Sequence, residues 1–368
     1  MKRSILLSTA MVSLLALPAM AQDNDNFAAS GATGIQLKVS GQVNRALLFT
    51  DDGNNTEEFF VDNDNSSTRF RFTGSGDVDS DTKVGFTIEV QMESNSTANV
   101  NQNNKTVGGN SFTERKLEIY IDSKRLGRVT LGQGDMASNG TSEVDLSGTG
   151  VIAYSGVVDF AGGILFNDKA TNTLTGTSIG NVFSNLDGQS RRDRIRYDTP
   201  SFSGFKLSAS AGDNGRWDGA ARYEGDMGDV AFEAAAAYGN DNNDNEIING
   251  SFSVLHKTSG LSLTAAAGEL DFDDNTNPRD PMTYYVKLGW QTKNLTPLGK
   301  TAFAIDYSYN EEFGALGDEA EAYGLFMVQN IDRVGTELYA GIRNHEYTAP
   351  GVNVDDILGV MFGARVKF

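Results

Sequence analysis

Arg69 and Arg71 stand two residues apart, and so do Arg194 and Arg196. In an extended chain that spacing puts both guanidiniums of a pair on one face, about 6.6 Å apart. Lys83 occupies a comparable polar position in a third stretch, and Arg115, Lys116 and Arg128 are weaker counterparts. Between residues 134 and 191 runs a long connection whose first half carries Asp135, Glu143, Asp145 and Asp159. Cations on a wall facing carboxylates on a loop make and break no bonds. In a water-filled constriction they select by charge and size. The plainer readings are carboxylates solvated on an outside loop, and arginines paired with acids of their own wall.

Bond-making chemistry has little to work with. The chain has no cysteine and only two histidines, His256 and His345, neither in a nucleophile motif. A disulfide framework, a thiolate metal site and a His-rich metal site are excluded. "DNDNSSTRF" lacks the central Gly and terminal Glu of a calcium loop, and no cofactor is implied. A net charge of −19 argues against nucleic acid, whose readers are basic. It suggests a weak cation preference, although only charges facing a channel set selectivity.

The charges are carried by segments of period two. "KVGFTIEVQME" sets Val84, Phe86, Ile88, Val90 and Met92 against Lys83, Thr87, Glu89, Gln91 and Glu93. "TRFRFTGSG" sets Phe70 and Phe72 against Arg69, Arg71 and Thr73, and in "RIRYD" Ile195 and Tyr197 alternate with Arg194 and Arg196. Such alternation marks strands with two unlike faces. Sixteen such segments recur about every twenty residues. Short turns (77–81, 123–127, 199–204, 225–229, 258–260, 293–299, 331–335) mostly alternate with long polar connections (50–66, 94–111, 134–191, 240–247, 271–281, 310–319, 346–355), as in an up-and-down meander. About 10 residues at roughly 3.3 Å, tilted about 45°, span roughly 23 Å, the height of a membrane barrel's apolar band. A soluble sandwich fits less well, because the apolar faces carry many small residues such as Ala234, Ala236, Ala265 and Ala267. A secreted solenoid fits poorly too, since no short repeat is present.

The two ends agree with a barrel. "MKRSILLSTAMVSLLALPAMAQ" has a charged start, an apolar stretch and a small-residue site ending at Ala21. Residues 1–21 therefore read as an export signal, and 22–368 as a single barrel domain in a bacterial outer membrane, reached through the periplasm. The chain finishes "GVMFGARVKF", alternating down to Phe362, Val366 and Phe368. A strand can run to the last residue if it pairs with the first strand and closes the barrel, leaving no edge. Tyr238, Phe252, Tyr284, Tyr285, Trp290, Tyr307, Tyr309 and Tyr339, near strand ends, would form interfacial girdles. Arg45 falls on the apolar parity of its strand, which a bulge or a strand-end position would explain. "DDGNNTEE", "DNDNSS", "NDNNDNE" and "DFDDNTNPRD" read as outer loops, either simply solvated or with their acids bridged by divalent cations to anionic lipopolysaccharide.

The terminal "FGARVKF", "LGRVTLGQGDMASNGTSEVDLSGTG" (Leu126 to Gly150) and "RDRIRYDTPSFSGFKLSASAG" (Arg192 to Gly212) together resemble the Gram-negative general porins, near their alphaproteobacterial branch. The resemblance covers the chain after the export signal. It implies an all-β, 16-stranded antiparallel transmembrane barrel, usually a homotrimer, with a long third loop folded into the lumen. It also implies passive diffusion of small hydrophilic solutes and ions, with loop acids facing wall cations across a transverse field. Membrane lipid, lipopolysaccharide and the outer-membrane insertion machinery, which reads the terminal Phe362, Val366 and Phe368, are the implied partners. The alternative is a substrate-specific channel of 18 strands, if "GVIAYSGVVDFAGGILF" (Gly150 to Phe166) is a hairpin of the wall. A barrel enzyme lacks a visible nucleophile or acid–base pair.

Overall fold

The computed structural model describes residues 28–30, 34–108, 112–241, 243, 245–272 and 278–368. The export signal expected over residues 1–21 lies outside them. No helix among the described residues is long and apolar enough to cross a membrane. The architecture is a wall of sixteen antiparallel strands. The first are β1 (Gln36–Asp51), β2 in two halves (Thr56–Asp62 and Arg69–Asp77), β3 (Thr82–Gln91), β4 (Thr113–Ser123) and β5 (Gly127–Asp135). Then come β6 (Arg191–Asp198), β7 (Phe205–Gly212), β8 (Trp217–Met227), β9 (Val230–Asn240), β10 (Glu246–His256) and β11 (Leu261–Asp271). The last are β12 (Met282–Thr292), β13 (Thr301–Glu311), β14 (Glu319–Ile331), β15 (Thr336–Thr348) and β16 (Ile357–Lys367). Each pairs with its sequence neighbours, and β1 pairs with β16 from Gln42↔Lys367 to Asp51↔Leu358, which closes the ring.

Phe368 completes the seam through two backbone bonds with Gly41, at 2.9 and 3.0 Å. A Cβ at residue 41 would meet the Arg69 carbonyl oxygen at 2.7 Å as well as the Phe368 ring at 2.6 Å, so glycine is required by the close backbone approach. A three-residue strand, Ala28–Ser30, pairs with Gln36–Lys38 and continues the position of β16 along β1.

Period two sorts the side chains by face. In β12, Tyr284, Val286, Leu288 and Trp290 are exposed, while Tyr285 and Lys287 are buried. The same parity corrects the girdle: Tyr285 and Tyr339 point inward, where Tyr285 donates to Asp306 (2.9 Å) and Tyr339 to Asn44 (2.6 Å). Tyr238, Phe252, Tyr284, Trp290 and Tyr307 stay outside, as expected.

One expected connection is also corrected. Residues 50–66 are not a long loop. Asp52 accepts the backbone N–H groups of Asn54 and Asn55 and makes a tight turn, so Thr56–Asp62 folds straight back onto β1. "DNDNSS" is then a break inside β2 rather than an outer loop. Its single turn, Asp64–Ser66, starts where the Asn63 side chain accepts from Asn65 N, and Gln42 and Asn44 hold the Ser66 carbonyl. Arg45 keeps its outward parity in the middle of β1, where Asp62 (3.6 Å) offsets its charge and the Ser94 carbonyl (2.8 Å) accepts a hydrogen bond from it.

A real bulge occurs in β4. Glu89 pairs with Lys116 but Val90 pairs with Glu114, leaving Arg115 as the extra residue. Bulges re-aim side chains, and this one turns Arg115 inward.

The connection 136–190 contains two single-turn helices, Val158–Ala161 and Ile179–Val182, and a hairpin of Leu165–Asp168 with Thr173–Ser178. The hairpin forms its own small sheet and residues 150–166 add no strand to the wall, which removes the 18-stranded alternative. The connection packs against the buried face of the wall. Ile152, Phe160, Ile164, Phe166 and Ile179 are buried against Leu48, Phe59, Phe326, Ile357 and Met361 of the wall. Each large side chain so buried contributes about 1.5–3 kcal/mol. On other strands the contact is polar: Ala137 N donates to Ser210 (2.8 Å), Val144 N to Ser251 (3.1 Å) and Leu146 N to Ser253 (2.9 Å). Short hydroxyl side chains on the wall let the loop backbone lie close and still satisfy its N–H groups.

Candidate functional site

The charges converge on a cavity of about 660 Å³ between the connection and the early strands. Arg69 from β2, Arg115 from the bulge and Arg191 at the start of β6 supply its cations. Asp64 from the break in β2, and Glu143, Asp145, Asp159 and Asp187 from the connection, supply its acids.

These acids are served unequally. The Lys287 ammonium, fully buried on β12, donates to Asp145 (2.7 Å) and also to the Ala153 carbonyl (2.7 Å). Burial pushes the Asp145 carboxyl up, but that ammonium and the Ser147 N–H outweigh it and hold the group below its ordinary value. Glu143 receives one side-chain bond, from Asn185 (3.2 Å), and burial beside Asp187 and Asp159 pushes it up to about 8. Asp159 takes the Tyr154 hydroxyl, and burial with Asp64 nearby pushes it up to about 8 as well. Asp187 accepts the N–H groups of Gly140 (2.6 Å) and Ser142 (2.9 Å), yet burial still raises it.

Of the residues singled out in the sequence, Arg69, Arg115, Glu143, Asp145 and Asp159 line this cavity. Arg194, Arg196 and Asp135 line a second one, of about 600 Å³. There the arginines are tied into the wall: Arg194 donates to Glu118 (2.5 Å) and the Gly132 carbonyl (2.9 Å), and Arg196 to Asp198 (2.7 Å) and the Met136 carbonyl (2.9 Å). Asp135 pairs with Lys116 and lies 3.7 Å from Arg191. Arg71 is bound to Glu89 beside the first cavity. Lys83 pairs with Asp77 at the turn end of β3 and lines neither cavity. Phe362, Val366 and Phe368 are outward and exposed, and Phe362 stacks on Phe49 across the seam at 5.9 Å.

Sequence reasoning passed over Asp64, Asp187, Arg191 and Lys287. Only Lys287 carried a usable signal, as a lone cation between the outward Val286 and Leu288.

The sequence matches the family model for Gram-negative porins over residues 8–350. The chain belongs to the Gram-negative porin family. As such it is an outer-membrane diffusion channel. Its fold is similar to an anion-selective porin from Comamonas acidovorans (TM-score 0.62, 16% identity, 91% of this chain and 100% of that one). It is also similar to the trimer form of OmpT from Vibrio cholerae (0.58, 14%, 91% and 100%) and to a mutant of the Rh. blastica porin (0.55, 16%, 90% and 100%). A search of curated proteins finds no match. In this porin the cavity between connection and wall is where opposed charges come together.

Proposed function

We propose that the 136–190 connection folds into the lumen and narrows it, and that small hydrophilic solutes and ions cross beside it. Arg69, with Arg115, Arg191 and Arg71, forms the basic wall, and Glu143, Asp145 and Asp159, with Asp64 and Asp187, form the acidic side. Arg194, Arg196 and Asp135 line the approach. The observation carrying this reading is that cations of β2, β4 and β6 share one cavity with the loop acids. Opposed fixed charges across a water-filled gap orient dipolar solutes and reject apolar ones.

The chain is exported by residues 1–21 through the periplasm. The insertion machinery reads Phe362, Val366 and Phe368, and the barrel works as a homotrimer among lipid and lipopolysaccharide. Single-channel recording of the purified protein in a planar bilayer, in KCl with a salt gradient, tests the reading. Large ohmic steps in groups of three support it, and the reversal potential reports the sign of the lining charge. No conductance, or small steps blocked by a single solute, overturns it.

A further inference from the structure

Glu89 of β3 points inward, is 1% exposed, and touches three arginines from two neighbouring strands. Its Oε2 accepts from Arg71 Nε at 2.5 Å and from Arg71 Nη2. Its Oε1 accepts from Arg115 Nε at 2.7 Å and lies 3.7 Å from Arg69 Nη1. Two features of the wall make this convergence possible. Antiparallel register sets Arg71 directly opposite Glu89. The bulge across from Glu89 delivers Arg115, which a regular β4 would turn to the lipid. Three guanidiniums crowded together repel one another unless an acid sits among them, and Glu89 is that acid.

We propose that Glu89 is a positioning residue: it holds Arg69, Arg71 and Arg115 as one fixed fan, and the fan's geometry, rather than the sum of its charges, sets the ion preference of the channel. This rests on the constriction reading above. The other partners of each arginine say which would be released. Arg69 keeps the Ser67 carbonyl (3.2 Å) and Ser66 Oγ (2.9 Å), and Arg115 keeps Gln91 (2.6 Å). Arg71, 41% exposed, has no other hydrogen-bond partner among the described residues, so it swings into the cavity when Glu89 lets go.

Glu89→Asp tests this, because it keeps the charge and withdraws the carboxylate by one methylene. The fan predicts a change of about twofold or more in the K⁺/Cl⁻ permeability ratio, with added open-channel noise from the mobile Arg71. Adding Arg71→Met should abolish that noise. If Glu89 is only one more wall charge, Glu89→Asp keeps the wild-type ratio and noise, and the proposal fails. Should Glu89→Asp not assemble, Glu89→Gln carries the test: noise that vanishes with Arg71→Met supports the fan, and a quiet shift toward anions overturns it. A wild-type protein that does not conduct fails the constriction reading itself, whereas a conducting wild type beside an unchanged Glu89→Asp fails only this inference.

Discussion

Lys287→Met should loosen the connection while leaving the barrel intact. Lys287 is fully buried and joins Asp145, Thr149 and the Ala153 carbonyl to β12. Methionine has similar length and offers no donor. It leaves the Asp145 carboxylate buried without its cation. Removing one partner of a buried pair costs about 3–5 kcal/mol, whereas removing both charges together is far milder. At about 1.4 kcal/mol per tenfold, that cost opens the docked loop roughly 10²- to 10³·⁵-fold more often. Hydrogen exchange reads this directly at the amides of Val144 and Leu146, which bond Ser251 and Ser253 only when the loop is docked. The expected result is fast exchange in Lys287→Met, recovery of most protection when Asp145→Asn is added, and unchanged exchange in the strands. Protection within about threefold of wild type in Lys287→Met, or a double variant no better than the single one, would refute the assignment of this pair as the anchor.

The pH dependence of selectivity follows from the two poorly served acids. Burial and neighbouring acids push Glu143 and Asp159 up to about 8, so raising the pH from 6 to 9 should add negative charge to the cavity. The reversal potential should move toward cations over that range, and Glu143→Gln with Asp159→Asn should flatten the curve; an unchanged slope in that double variant contradicts the reading. Phe160, fully buried and 6.0 Å from the Phe326 ring, fills the contact between connection and wall. Phe160→Ala should destabilise that contact by about 3–5 kcal/mol. Limited proteolysis within 150–166, at unchanged barrel melting, is the measurement. Deleting Phe368 removes both seam bonds to Gly41 and should lower the folded fraction seen by heat-modifiable gel migration.

The barrel itself was legible because two-residue alternation is imposed by the pleat on every strand. Sixteen such segments and the terminal Phe368 sufficed for closure. The break in β2 was not legible, because "DNDNSS" has the composition of a loop wherever it lies, and only its bonds to Gln42 and Asn44 reveal that it stays in the wall. The bulge at Arg115 was hidden for a related reason. Glu114, Arg115 and Lys116 are all charged, so a slipped register changes no apolar face. Which arginines reach open water and which are tied into the wall depended on partners from neighbouring strands, such as Glu118 and Glu89. Inward parity alone treats Arg69 and Arg194 alike.

The packed layer of Ile152, Phe160, Phe326 and Met361 gives this molecule two different solvents. In an outer membrane the outer face of the wall would meet lipid, where exposing another leucine would cost little. The inner layer is held together by exclusion from water, as in a soluble domain. Its melting therefore carries a heat-capacity increase and a sensitivity to urea, which reaches it through the channel, that the lipid-facing strands do not share. Heating or denaturant should thus produce two transitions: first a widened, still membrane-embedded ring whose bore has melted, and only later the loss of the ring.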